Sequence, residues 1–276
     1  MMESHSVVPV SAVIPCFRCS TTIDRAVQSI AQQTIRPAEV ILVDDASGDG
    51  TLAVLQELEQ AYLGWVKILQ LNENRGAANA RNAGWAAASQ PYIVFLDADD
   101  AWHIEKLRIQ YEYMRDRPSI AVTGHRCIWL RDGKPPSGMP HVSGYTPITP
   151  FRLLFRNAFS TPSAMLKRDI PFRFTENKRY CEDYDLWLQI VFGGLQVMLI
   201  EADLAYLYKA PYGASGLSAQ LWKMEKGELD SFAHLYRKNK INLPVLCLAS
   251  VFSIVKFGPR AVNVIIKRIF RLFTMS

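Results

Sequence analysis

Two acidic clusters each follow an apolar run: Val40-Ile41-Leu42-Val43 leads into Asp44-Asp45, and Tyr92-Ile93-Val94-Phe95-Leu96 leads into Asp97-Ala98-Asp99-Asp100. The pair Asp97-x-Asp99 offers hard oxygen ligands to a divalent cation such as Mg2+ or Mn2+, and leaves most of an octahedral shell to water and phosphate oxygens. Five carboxylates at one edge repel one another unless a cation and polar ligand groups lie among them. The chemistry indicated is a metal-bound phosphate ligand. A further acidic pair, Glu182-Asp183, opens another candidate helix. Taken alone it reads equally well as a first turn favoured by the helix dipole or as a carboxylate placed for proton transfer.

The elements that must position these groups follow from periodicity. Short β-branched and aromatic runs read as buried parallel strands, and in an open α/β sheet ligands bind beyond the strands' carboxyl ends. Strands are expected near 10–14, 39–43, 66–71 and 92–96, alternating with helices near 22–32, from 51, at 77–87 and at 105–115. This is the βαβ rhythm of a doubly wound sheet. Beyond Arg117-Pro118 the rhythm changes to a long strand at 120–130, a loop rich in Pro and Gly at 134–150, a short helix at 151–156, a strand at 163–167 and the helix entered through Glu182. A loop of that length is expected to be functional or mobile. One catalytic domain over 8–220 is expected, with halves 8–117 and 118–220, followed by a tail at 221–276.

The 276 residues, 49% hydrophobic and 21% charged, are those of a globular chain able to bury a core. The formal net charge of +5 is uneven, because the last stretch, 231–276, holds eight Lys or Arg and no acid, and the rest is slightly acidic. Residues Val262, Ile265, Ile266, Ile269, Phe270, Leu272 and Phe273 share one helical face opposite Lys267, Arg268 and Arg271, after a break expected at Gly258-Pro259. A basic amphipathic helix of this kind is expected at an anionic membrane surface. Nucleic acid is not an expected partner, since the basic residues lack aromatic interleaving. Five cysteines, an odd and scattered set, suit a reducing compartment, and Cys16-x-x-Cys19 has no second pair or nearby His to complete a metal site. Neither a signal peptide nor an apolar run of the roughly 20 residues needed to span a bilayer is expected. These features together suggest a cytoplasmic protein held peripherally on the cytosolic face of the membrane.

Five motifs in order, AVIPCF (12–17), QSIAQQTIRPAEVILVDDASGDGT (28–51), NENRGAANARNAG (72–84), FLDADDAW (95–102) and YCEDYDLWL (180–188), resemble the family 2 glycosyltransferases over about residues 10–220. Their order and spacing make accidental agreement improbable. The resemblance implies the GT-A fold, a Rossmann-like, mostly parallel sheet with helices on both faces. It also implies an inverting, metal-dependent transfer of a sugar from a nucleotide-sugar donor, a UDP-sugar, to a hydroxyl of a glycan or lipid-linked acceptor in cell-surface polysaccharide biosynthesis. By resemblance Asp99 is the more direct ligand of Mn2+ or Mg2+, with Asp97 helping at the metal or the ribose. Asp183 is then the base on the acceptor side and Glu182 its neighbour.

The nucleotide would be met by Pro15 and Phe17 at the first strand end, Phe17 stacking on the base, and by Asp45 accepting from a uracil imide. Asp44 orients the loop, and Asp49-Gly50-Thr51 is turn and cap. Arg75 and Arg81 are candidates for the diphosphate, with a salt bridge from Arg81 to Asp97 as the alternative. Trp187 is a candidate wall of the acceptor pocket, and Lys209 a candidate to neutralise the departing phosphate, with 213–218 able to close over the donor. Many relatives carry a metal-binding histidine where this chain has Tyr208-Lys209-Ala210-Pro211-Tyr212-Gly213, so the coordination is expected to differ. The rival readings are a glycoside hydrolase, which also employs two carboxylates, and a catalytically inactive membrane-associated assembly protein. A nucleotidyltransferase would need a glycine-rich loop where Pro15-Cys16-Phe17-Arg18 stands.

Overall fold

The computed structural model describes residues 6–130, 132–209 and 220–274, of which 260–274 by backbone course alone. Its first half is built as the apolar runs require. Strands β1 (Ser6–Cys16), β2 (Ile35–Asp44), β3 (Val66–Gln70) and β4 (Tyr92–Phe95) are mutually parallel in the order β3-β2-β1-β4. Their alternate residues enter two different cores. Val13, Ile41, Val43 and Phe95 pack with Trp85 on one face, while Ala12, Ile14, Val40, Leu42 and Val94 pack with Ile23, Val27 and Leu55 on the other. A strand buried on both faces shows a continuous apolar run, which is what the sequence displays.

Helices α1 (Ile23–Ala31) and α2 (Thr51–Ala61) supply one layer, and α3 (Ala77–Ala87) lies on the opposite face. The approach of α3 is set by Gly84, where a Cβ would stand 2.4 Å from Val13 Cγ1 and 3.0 Å from Val43 Cγ2. No side chain larger than hydrogen fits there.

After the two-residue β5 (Ala101–Trp102) and α4 (Lys106–Arg115), the sheet continues through β6 (Ile120–Trp129), β7 (Tyr145–Pro147), β8 (Met165–Lys167) and β9 (Gln196–Leu207). The full order is β3-β2-β1-β4-β8-β6-β9-β5, with β7 also on β9. Parallel pairing therefore holds throughout the first half, but in the second only β6 and β9 run parallel, and β8, β5 and β7 pair antiparallel. Strand β9, absent from the expected elements, is the main addition; it carries β5, β6 and β7.

Helices α5 (Pro150–Phe155), α6 (Glu182–Phe192), α7 (Leu221–Arg237) and α8 (Leu243–Thr274) complete the chain. The break expected at Gly258-Pro259 does not occur, because α8 runs through Pro259. A proline removes one hydrogen bond and strains the preceding turn, yet apolar helical sequence on both sides carries the helix on. The side chains of the basic amphipathic face at 262–273 lie outside the described residues. Among the described residues no helix is long and apolar enough to cross a membrane.

Candidate active site

Because β1, β2 and β4 are parallel, their carboxyl ends share one edge, and backbone hydrogen bonds stitch the loops there: Asp45 N–H donates to the Cys16 carbonyl at 2.9 Å and Leu96 N–H to that of Val13 at 3.1 Å. Phe17 projects from this edge, 45% exposed, with the Arg18 guanidinium 5.2 Å from its ring centre. Pro15, half-buried, is the last-but-one residue of β1. Asp44 accepts from the Ser47 amide and hydroxyl, as expected of a loop-orienting carboxylate.

Asp45 has a different duty from the one expected. It is only 2% exposed, and its two oxygens accept the backbone N–H groups of Arg75 (3.0 Å) and Gly76 (2.8 Å). In this arrangement it is sealed from any base and fixes the start of α3, where Gly76 stands at φ +87°. That φ is one L side chains rarely adopt. Arg75 itself is exposed and pairs with Glu73 at 3.0 Å, clear of the acidic loops.

One turn into α3, Arg81 is the centre of the site. Its guanidinium, 5% exposed, reaches Asp97 at 2.6 Å and Glu182 at 2.9 Å. Burial alone would lower its pKa, but the two carboxylates outweigh that and raise it, so the charge is secure. Arg81 is thus a bridge between the loop after β4 and the first turn of α6, and no longer free for a diphosphate. The chain of contacts Asp97–Arg81–Glu182 brings the two acidic motifs together.

The loop after β4 is short of donors. Asp100 is buried, and desolvation together with the charges of Asp97 and Asp99 pushes its carboxyl up to about 8, against a weak 3.4 Å bond from the Tyr208 amide. Asp99 pairs with the Lys209 ammonium at 2.6 Å, and that contact raises the Lys209 pKa. Arg25 of α1 donates to the Asp99 carbonyl and stacks 3.7 Å from the Tyr208 ring centre. Arg25 had no sequence signal as a site residue, since it lies inside an ordinary helix and its contact with Tyr208 joins residues distant along the chain; Asp100 is one of the five carboxylates that the sequence already clusters. Crowded carboxylates with an ammonium drawn onto Asp99 are a donor set that suits a divalent cation. Among the described residues no group of three or more His, Cys, Asp or Glu forms a ready-made cage, so Asp97 and Asp99 would share the ion with ligand oxygens and water. Positions 210–213 and the 213–218 loop lie outside the described residues.

On the other side of Arg81, Cys181 at φ 55° turns the chain into α6. Asp183 accepts its neighbour Tyr184 N–H at 2.7 Å. Burial, then the charge of Glu182, pushes its carboxyl up to about 7, and the Tyr184 amide and Arg81 offset only part of this. A carboxylate poised near neutrality is suited to accept a proton. Asp185 instead accepts from Gln189 Nε2 (2.8 Å), Thr175 and His234 and ties α6 to α7. Trp187 is not a pocket wall: it is 1% exposed and packs on Phe159 and Phe174, because its side of α6 faces the sheet.

The sequence model described as Glycosyl transferase family 2 matches residues 11–175. The chain belongs to that family. The putative teichuronic acid biosynthesis glycosyltransferase TuaG of Bacillus subtilis is 37% identical over 127 residues, 46% of this chain and 50% of that protein. The UDP-Glc:alpha-D-GlcNAc-diphosphoundecaprenol beta-1,3-glucosyltransferase WfaP of Escherichia coli is 35% identical over 105 residues, 38% of this chain and 41% of the relative. This family 2 chain therefore spans half or less of the length of these two relatives. The crystal structure of Staphylococcus aureus TarS 1-349 in complex with UDP-GlcNAc has the same fold, with a TM-score of 0.65 at 18% identity, covering 82% of this chain and 66% of that one. The α/β fold of this chain is accordingly the GT-A fold.

Proposed function

We propose that this chain is an inverting, metal-dependent glycosyltransferase that moves a sugar from a UDP-sugar to a hydroxyl of a glycan or lipid-linked acceptor in cell-surface polysaccharide assembly. The observation that carries the reading is the Arg81 bridge, which ties the candidate metal-binding loop after β4 to the acidic first turn of α6. The UDP donor is favoured by WfaP, named for its UDP-glucose donor, and by TarS, whose structure holds UDP-GlcNAc.

Phe17 offers an exposed ring for the base, and Asp97 and Asp99 would hold Mn2+ or Mg2+ against the diphosphate. When bound, the cation supplies positive charge to the leaving diphosphate. Lys209 is within reach of the same phosphates once it leaves Asp99. On the far side Asp183 takes the acceptor hydroxyl proton as the new bond from oxygen to the anomeric carbon forms. The bond from that carbon to the phosphate oxygen breaks in line, UDP departs with its electron pair, and the configuration inverts. Glu182, held by Arg81, keeps Asp183 crowded by negative charge and so a stronger base.

Membrane contact is part of this proposal. Leu243, Leu248, Val251, Ile254 and Val255 of α8 are all more than half exposed, and the basic residues follow in sequence. An apolar face with a basic continuation suits the cytosolic, anionic leaflet. Two measurements test the reading. Asp99→Ala is expected to lose the Mn2+-dependent part of UDP affinity in calorimetry, and unchanged affinity would remove the metal role. Sugar release from a UDP-sugar panel without metal or acceptor would favour hydrolysis instead, and no turnover on a broad panel would favour an inactive assembly protein.

A further inference from the structure

The Cys16-x-x-Cys19 pair brackets Phe17 and has no part in the transfer chemistry. Both thiols are free and enter the same core, beside Ile14 and Ile23, Cys16 0% and Cys19 7% exposed. Cys16 is the last residue of β1, and the chain between the two turns through Arg18 at φ 50°. The Cys19 carbonyl then accepts from the N–H groups of Thr22 at 2.9 Å and Ile23 at 3.0 Å, so Cys19 caps the turn that enters α1. The amino end of a helix favours a thiolate. The two side chains also share a hydrogen bond, to which Cys16 turns its proton from the Ile14 carbonyl, 3.4 Å away, when Cys19 ionises. That bond holds the Cys19 thiol below its ordinary value, against its own burial, while burial pushes Cys16 up. Cys127 and Cys181, by contrast, are both pushed up by burial. An outer thiolate beside an inner thiol can react with a mild oxidant and then close on its neighbour.

We propose that Cys16 and Cys19 form a disulfide, closed by hydrogen peroxide and reopened by thiols, that switches off donor binding. The Cys19 thiolate attacks one oxygen of the peroxide, the O–O bond breaks, and hydroxide leaves a sulfenic acid on Cys19. The Cys16 sulfur then attacks that sulfur, the S–O bond breaks, and the hydroxyl group departs with the Cys16 proton as water. Two thiols are oxidised by two electrons and one peroxide is reduced to two waters. Closure draws the sulfurs to about 2 Å. Cys16 is held in β1, its carbonyl accepting the Asp45 N–H at 2.9 Å, so Cys19 is the residue that moves. Its movement disturbs the two bonds that set the loop, Cys19 N–H to Thr51 Oγ1 at 3.0 Å and Arg18 N–H to Ser47 Oγ at 3.2 Å. Phe17, 45% exposed between the two cysteines, is displaced with them. The loss of donor affinity rests on the reading of Phe17 as the platform for the base; formation of the disulfide does not. In a reducing compartment such a bond is transient, as a switch requires.

The test uses the full chain, reduced, freed of reductant and then exposed to hydrogen peroxide. Trypsin cuts after Arg18, between the two cysteines, so the bond is expected as two peptides that stay joined until dithiothreitol is added. Affinity for UDP with Mn2+ is expected to fall about tenfold or more on oxidation, and to return to within about twofold of its reduced value with dithiothreitol. Cys19→Ser and Cys16→Ser are each expected to keep their UDP affinity within about twofold through the same treatment. The parent's peptide map decides the matter even where a serine variant fails to fold. Peroxide that oxidises the exposed Cys247 while leaving Cys16 and Cys19 as free thiols would overturn the proposal, as would a sulfinic acid on Cys19 with no joined peptides. A closed bond with unchanged UDP affinity would overturn the control of donor binding. Joined peptides from a parent chain that binds no UDP even when reduced would instead count against the glycosyltransferase reading and leave the disulfide standing.

Discussion

Desolvated carboxylates in two regions of the molecule are treated in opposite ways. Glu39, in β2 near the amino ends of the strands, is desolvated, which favours its protonated form. It nevertheless accepts from Lys67 at 2.8 Å and from Ser11 and the Ser89 amide and hydroxyl at 2.7 Å, and these hold it down at about 2. Asp100 in the loop after β4 and Asp183 in the first turn of α6 are desolvated too, but each has one backbone donor and acidic neighbours, and they rise to about 8 and about 7. The fully bonded carboxylate stabilises the fold. The under-bonded ones cost stability and remain ready for a cation or a proton.

The contrast is broken most sharply at Asp183. Asp183→Asn is expected to lower kcat by about 10²–10⁴-fold, the usual worth of a positioned base, with UDP and Mn2+ binding intact; normal turnover would remove the assignment. Arg81→Met comes next. It leaves Asp97 and Glu182 facing each other without their buried cation, and a loss of about 3–5 kcal/mol in urea unfolding is expected. A loss under about 1 kcal/mol would mean that water already screens the bridge.

Glu39→Gln should cost about 3 kcal/mol at pH 7, following the fall of its pKa from 4.5 to about 2. Because the folded pKa lies below the unfolded one, this term is fully present above about pH 4.5 and vanishes as pH falls through 2. Denaturation of parent and variant should therefore converge in acid, and a constant gap would refute the linkage. Turnover per folded molecule should not change in this variant. The smallest effect is the pH profile of the parent enzyme: transfer should fall by about tenfold per pH unit below about 7, as Asp183 takes up its proton. An acid limb near 4 would show that both its burial and its crowding by Glu182 are relieved in the working complex.

Much of the architecture was legible from periodicity. Helix α3 occupies the expected 77–87, and β1 to β4 and α6 lie within a few residues of their expected places, because each is a long local pattern of apolar positions. Strand β9 was missed although Val197, Leu199, Ala202 and Leu204 are buried along it; its acids Glu201 and Asp203 interrupt the run and mask the pattern. The two-residue β5 and three-residue β7 are too short for any periodicity and exist only because β9 offers them an edge. Trp187 and Asp45 show the same limit in the site. A tryptophan beside a catalytic motif and an aspartate at a strand end look available for ligands, but the facing of α6 and the amides of 75–76 had already claimed them.

By itself the amino-acid order determined the parallel half-sheet, the edge at which the acidic groups emerge and the family to which the chain belongs, since all of these rest on local alternation and short spacings. Only the tertiary structure decided that Arg81 would hold Asp97 and Glu182 at once and that Asp100 and Asp183 would be left under-bonded. Burial and the reach of a guanidinium depend on what packs nearby in space, and residues distant along the chain carry no local signal of that meeting.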